Sequence, residues 1–369
     1  MSQAATRGPA QKVLLAIGTR KGLFLATGSG ADWEVTGPHH PMTDVYAVAI
    51  DTRRETPRIL AAVTSEHWGP SVAVSDDLGA TWSEPEHAPV AFPADTGAAL
   101  ARVWQFAPGS VDEPDVVYAG VEPSALFRSE DGGRTYELVR GLWDHPHRER
   151  WVPGFGGMAV HSVLPHPREP DRITVAMSTG GVYVSSDGGA SFTASNEGIK
   201  AYFLPDPYPE FGQCVHKIAQ HPDRPDRFFA QNHHGVYRSD DGARTWKSIA
   251  DGLPSDFGFP MVVHPHLPDT IYTFPLVADG MRFPPEGRCR VYRSDDAGST
   301  WTALSDGLPE GGFWTAVMRD AMCADDADQA GVYFGSRSGE VYAGRDGGEH
   351  WSQVAAHLPD VLSMRAAVI

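Results

Sequence analysis

The chain has 369 residues, 41% hydrophobic and 21% charged, a globular composition with enough apolar content for a sizeable core. Its net charge of −17 is not broken by any basic stripe, which argues against a nucleic-acid partner. No run approaches the ~20 apolar residues of a membrane span, residues 1–12 lack the apolar core of a secretory signal, and three scattered cysteines (Cys214, Cys289, Cys323) form no disulfide framework. A cytoplasmic protein without membrane partners is expected.

Residues 1–12 read as a disordered tail and 13–369 as a single domain. In the first unit, Val13–Ile17, Gly22–Leu25 and Trp33–Thr36 are three short strands that no earlier strand precedes. Later units are fuller. In the fourth, Met158–Leu164 is a strand, the turn His166–Asp171 follows, and Arg172–Met177, Val182–Val184 and Ser191–Thr193 are further strands. Short β-branched and aromatic runs punctuated by Gly, Pro and Asp are strand-and-turn chemistry. The same order returns at Val215–Ala219, Arg227–Ala230, Gly235–Arg238 and Thr245–Ser248, and again from Phe259. The tail Ser363–Ile369 is a strand with no unit of its own.

Between the third and fourth strands of each unit runs one sentence, Ser-x-Asp-x-Gly-x-Thr-Trp. It stands at Ser75–Trp82, Ser129–Tyr136, Ser185–Phe192, Ser239–Trp246 and Ser294–Trp301, and in worn form at Gly344–Trp351. Its aspartates (Asp77, Asp131, Asp187, Asp241, Asp296, Asp346) are 54, 56, 54, 55 and 50 residues apart. A fixed period of this size with four strands per period is a propeller. The sequence therefore predicts an all-β, seven-bladed β-propeller with four-stranded blades, closed by the C-terminal strand joining the N-terminal blade. The aspartates are assigned to holding their own turns.

The motif resembles the Asp box, or bacterial neuraminidase repeat, over nearly the whole chain. That resemblance takes in sialidases, family 74 xyloglucanases, sortilin-type receptors and photosystem II assembly factors. It implies a propeller, and with it either glycosyl hydrolase-like activity or a binding and assembly role. Sialidases have six blades and an Arg-Ile-Pro motif; this chain has no Arg-Ile-Pro and reads as seven.

The box turns mark one face, so a ligand is expected in the funnel on the other, where the loops are long and irregular. Aligning the first strands on their terminal turns predicts one funnel residue per blade: Tyr46, Arg102, His161, His216, Phe259, Thr315 and Arg365. His161 and His216 are candidate acid–base groups, with Glu66, Asp206 and Glu210 as candidate carboxylates. Arg20, Arg102, Arg337 and Arg365 are candidates to clamp an anion. Tyr46, Trp68, Trp151, Tyr202, His233 and His234 complete the expected binding set. The expected function is a hydrolase or lyase acting on a small polar, anionic or sugar-like compound. The alternatives are a non-catalytic scaffold with a protein partner, and a metalloenzyme using His161, His216 and His234 or His233. None of these histidines stands in a His-x-His or Glu-x-x-His spacing that would support a divalent metal.

Overall fold

Val13–Thr19 pairs on one side with Gly22–Gly28 and on the other with Val361–Val368, both antiparallel. The C-terminal strand is thus the innermost strand of the first blade, as the incomplete first unit required. This is a computed structural model, and it describes residues 11–30, 32–83, 85, 87–154 and 157–369. Most of the expected 1–12 tail lies outside the described residues.

Among the described residues, seven antiparallel blades follow one another around a central bore. Blade 1 is completed by Trp33–His39. The inner strands of blades 2 to 7 are Asp44–Asp51, Arg102–Pro108, Val160–Pro165, Val215–His221, Phe257–Val263 and Val317–Ala324. A parallel bridge from Asp320 to Ser363 joins blade 7 to blade 1 and completes the ring. The first and last blades therefore meet without leaving an open sheet edge between them. Blade 2 shows three strands among the described residues, and beyond Gly69–Ser75 its ladder continues as a bridge from Val74 to Ser83. Pro85 and Pro89 follow at once, and proline cannot donate to a ladder.

The core sits between blades. Inner strands supply small Ala and Val side chains, while Tyr183, Tyr237, Tyr272 and Tyr333 fill the wider outer spaces and are fully buried. Burying each such side chain contributes roughly 1.5–3 kcal/mol.

The repeated turn has one geometry. In blade 4, the Ser185 hydroxyl donates to Asp187 Oδ1 at 2.8 Å and accepts from the Gly189 N–H at 2.9 Å. Asp187 also accepts from the Ser191 N–H and hydroxyl at 2.9 and 2.5 Å. Asp77, Asp131, Asp241 and Asp296 repeat the pattern. Both carboxylate oxygens are therefore engaged within their own loop. In blades 5 and 6 the aromatic that ends the motif also bonds the previous blade: Trp246 Nε1 donates to Ser195 O at 2.9 Å, and Trp301 Nε1 to Ile249 O at 2.8 Å.

Candidate functional site

Each inner strand carries a β-bulge near its funnel end. The bulged residues are Tyr46, Trp104, His161 and His216 in blades 2 to 5, bracketed by register shifts. Blade 6 bulges at Phe259-Pro260 and blade 1 at Leu362. Blade 7 has the widest irregularity, between Val317 and Met322, which leaves Met318, Arg319, Asp320 and Ala321 out of the ladder with the next strand. A bulge breaks the in–out alternation and re-aims a side chain. These bulges set the ring of residues around the mouth of the bore.

The ring corrects the alignment read from the sequence. Tyr46, His161, His216 and Phe259 are at the bulge level. Arg102 is two residues early, because its strand runs on to Pro108 and the turn begins at Gly109. Thr315 precedes its strand, and Arg365 lies three residues beyond Leu362.

The funnel has two connected lobes that share Trp104, Arg282, Met318 and Arg319. One, of about 330 Å³, is charged: Arg20, Arg102, Arg337, Glu122, Asp320 and Tyr46 border it. The other, of about 480 Å³, is mainly apolar and aromatic, bordered by Phe203, Cys214, His216, His233, Phe257 and Phe259, with Asp279.

The predicted arginines are already paired. Arg20 reaches Asp44 at 3.1 Å and Asp360 at 3.2 Å, and Arg337 shares Asp360 at 2.6 Å. Arg102 meets Glu122 at 3.1 Å and lies over the rings of Tyr46 and Trp104. Arg365 meets Asp320 at 2.7 Å.

Arg319 is different. It is 6% exposed and stands between the rings of Trp104 and Phe259, with its carbon Cζ 5.1 and 5.6 Å from their centroids. Among the described residues it has no ion pair or hydrogen bond, and its Nε is buried without a partner. Burial lowers its pKa, as does the nearby Arg282. Cation–π contact recovers only part of the hydration a guanidinium loses on burial. Arg282 faces the same cavity, held by its Nε to Asp279 O at 3.0 Å.

Beneath the ring, Asp320 Oδ1 accepts from Lys217 Nζ at 2.9 Å as well as from Arg365. Burial pushes the Asp320 carboxyl up, but Lys217 and Arg365 outweigh it and hold it below the usual range. Its Oδ2 is buried and unpartnered.

Of the two predicted histidines, His216 borders the cavity and His161 does not. His161 is fully buried, its Nε2 3.0 Å from the Ser178 hydroxyl. His216 Nδ1 donates to the Gly258 carbonyl at 2.6 Å, and its ring stacks on Phe259 at 4.7 Å. Burial, reinforced by Arg319, keeps both imidazoles well below their ordinary pKa. Burial also lowers His233 and His234.

The other candidates lie outside the two lobes. Glu66 and Trp68 are on an exposed hairpin, with Trp68 91% exposed. Asp206 accepts from the Tyr208 N–H, and Glu210 stands 3.9 Å from His147. Trp151 is buried and donates to the Tyr183 hydroxyl at 2.9 Å. Tyr202 is exposed beside His234, ring centroids 5.5 Å apart. The proposed metal set His161, His216 and His234 does not converge: His161 is turned to Ser178 and His234 to Tyr202. Cys214, His216 and His233 do, with ligand atoms within 4.8 Å of one another.

Trp104, Lys217, Arg282, Arg319 and Asp320 were not in the expected set. One signal for two of them was available, since Arg319-Asp320 interrupts the otherwise apolar run Val317–Ala324.

No family model matches the chain. Two curated relatives are a xyloglucanase of Hypocrea jecorina and an oligoxyloglucan-reducing end-specific xyloglucanase of Emericella nidulans. The first is 23% identical over 278 residues, which cover 75% of this chain and 26% of that protein. The second is 25% identical over 202 residues, covering 50% and 22%. The chain thus spans about a quarter of the length of the curated relatives it matches. Among solved structures, a GH74 enzyme of Niastella koreensis superposes with a TM-score of 0.61 at 16% identity, covering 94% of this chain and 54% of that one. YCF48 from Cyanidioschyzon merolae gives 0.54 at 14% identity, covering 86% of each. These likenesses establish the fold, a β-propeller. No helix among the described residues is long and apolar enough to cross a membrane.

Proposed function

We propose that the chain is a hydrolase- or lyase-type enzyme acting on an anionic, sugar-like compound bound in the central funnel. The observation that carries this reading is Arg319, a buried guanidinium without a carboxylate partner at the junction of the two lobes. A carboxylate or sulfate on the ligand would supply the missing partner in a site where such a bond is strong. Arg282 is placed to share it. The rings of Trp104, Phe257 and Phe259 suit the apolar face of a sugar, and the xyloglucanase relatives favour a carbohydrate. Glu122, held by Trp104 Nε1 at 3.0 Å and by Arg102, and Nε2 of His216 are two bordering groups able to exchange a proton.

The test is a thermal-shift and turnover panel of uronic-acid oligosaccharides against their neutral counterparts, with the native protein and Arg319→Met. Acidic compounds should stabilise the native protein and be cleaved, and Arg319→Met should lose both effects. Equal response to neutral sugars, or an unaltered Arg319→Met, would sink the reading.

A second reading, a non-catalytic platform, is favoured by the apolar side chains exposed on the funnel-face loops: Trp68, Tyr202, Phe203 and Trp314. Patches of this kind mark interaction surfaces. Saturable binding without turnover, weakened by Trp314→Ala, would favour it over the enzyme.

A further inference from the structure

We propose that Cys214 Sγ, His216 Nε2 and a ring nitrogen of His233 form a zinc-type metal site on the funnel wall, open to the aromatic lobe on its remaining side. The three ligand atoms already lie within 4.8 Å of one another. Tetrahedral zinc, with Zn–S near 2.3 Å and Zn–N near 2.0–2.1 Å, sets its ligand atoms about 3.4–3.6 Å apart. Small side-chain rotations close that difference.

The support around the three groups is what a metal site needs. The Nδ1–H of His216 is fixed on the Gly258 carbonyl at 2.6 Å, which leaves the lone pair on Nε2, and Phe259 fixes the plane of the ring. The His233 N–H donates to the Cys214 carbonyl at 2.9 Å, so two of the ligands are tied together through the backbone. Asp279 Oδ2 stands 3.8 Å from His233 Nε2, within reach of an orienting role. Burial raises the Cys214 thiol, while Arg319, the Thr179 backbone and the Ser178 hydroxyl act in the opposite sense, toward the thiolate that a metal would bind. Ser178 is in turn held by His161 Nε2 at 3.0 Å, which makes His161 a positioning residue behind the site. One thiolate and two neutral imidazoles are a borderline-soft set that selects zinc or cobalt over calcium or magnesium.

Three protein ligands leave a fourth position, and it faces the cavity that Arg319 and Arg282 also border. An anion held by those arginines would lie beside metal-bound water. That water would then take the protic role the preceding reading gives to His216. The site shares the funnel with that reading but does not depend on it, since metal binding is measured without any anion and Arg319→Met leaves all three ligands in place.

The experiment is titration of tag-free protein, stripped of metal, with Co(II). The expected result is one equivalent bound, with a thiolate-to-cobalt charge-transfer band and intense tetrahedral visible bands, both displaced by zinc. Cys214→Ser should lose the charge-transfer band while keeping the native circular dichroism, and His233→Ala, which removes a ligand, should weaken binding by more than the roughly 10–100-fold that loss of an outer partner costs. Zinc should also slow the reaction of the native protein with a thiol reagent, which reads Cys214 because Cys289 and Cys323 are buried. Cobalt binding without a thiolate band, a band that survives Cys214→Ser, or no bound metal at all would each overturn the proposal.

Discussion

Lys217 Nζ and Asp320 Oδ1 meet at 2.9 Å, joining the inner strand of blade 5 to that of blade 7. The two blades are not neighbours, so the pair spans the bore. Arg365 adds blade 1 at 2.7 Å on the same oxygen. One carboxylate thus cross-braces three blades just below the funnel.

Removing that carboxylate should be costly. Asp320→Asn leaves the buried Lys217 ammonium and the part-exposed Arg365 guanidinium with no counter-charge, and breaking such a buried pair costs about 3–5 kcal/mol. Lys217→Met should cost less, because Arg365 still neutralises Asp320. Urea unfolding of the two variants checks the order. If Lys217→Met is the more damaging, the brace is wrongly described.

Arg319 should behave in the opposite sense. Replacing an unpaired buried cation by methionine removes a desolvation penalty, so Arg319→Met is expected to stabilise the fold, by about 1–3 kcal/mol in urea unfolding. Stability gained together with loss of anion binding would mark a residue kept for binding. A clear loss of stability would mean that its ring contacts outweigh its burial.

The repeated aspartates predict an acid limit. Hydrogen bonds from Ser191 and Ser185 and the loop N–H groups hold Asp187 down to about 2, against an ordinary 3.8, and its counterparts are lowered too. A lowered folded-state value gives stability that is present above about pH 4 and lost as pH falls toward 2. The urea midpoint should therefore fall steeply below about pH 4, and Asp187→Asn should flatten part of that fall. A midpoint unchanged down to about pH 3 would contradict the assignment.

The ring closure has a glycine at its tightest point. A Cβ on Gly18 would lie 2.4 Å from both Ser363 Oγ and Val45 O, where the closing strand and blade 2 converge. Gly18→Ala should cost about 1–3 kcal/mol, as overpacking does. Gly311→Ala, with open space around it, should change stability by under about 0.5 kcal/mol. Thermal denaturation of both variants makes the comparison.

The fold was legible because its determinants are local and repeated. The box turn fixes the third-to-fourth strand connection in each blade, and the missing first strand before Val13 pointed to the tail. The site was harder, because a bulge has no residue signature. Counting back from the turn located His161 and His216 but missed Trp104, whose strand ends at Pro108 and runs into a turn at Gly109 instead of a His-Pro pair. In blade 7 the wide irregularity moved Arg319 and Asp320 to the level at which Thr315 was expected. Glu66, Asp206 and Glu210 had suitable chemistry and the correct face, but loop residues carry no periodicity from which to judge whether they reach the bore.

The pairing of Val13–Thr19 with Val361–Val368 has a consequence for biogenesis. On the ribosome, blades 2 to 7 emerge with all their strands in succession and can pack as they appear. Blade 1 cannot, since its centre is translated after every other blade. At about 5–20 residues per second the nascent chain waits tens of seconds with one flank of Val13–Thr19 uncovered. That flank is the segment a chaperone would have to shield, and the one through which two unfinished chains could exchange strands.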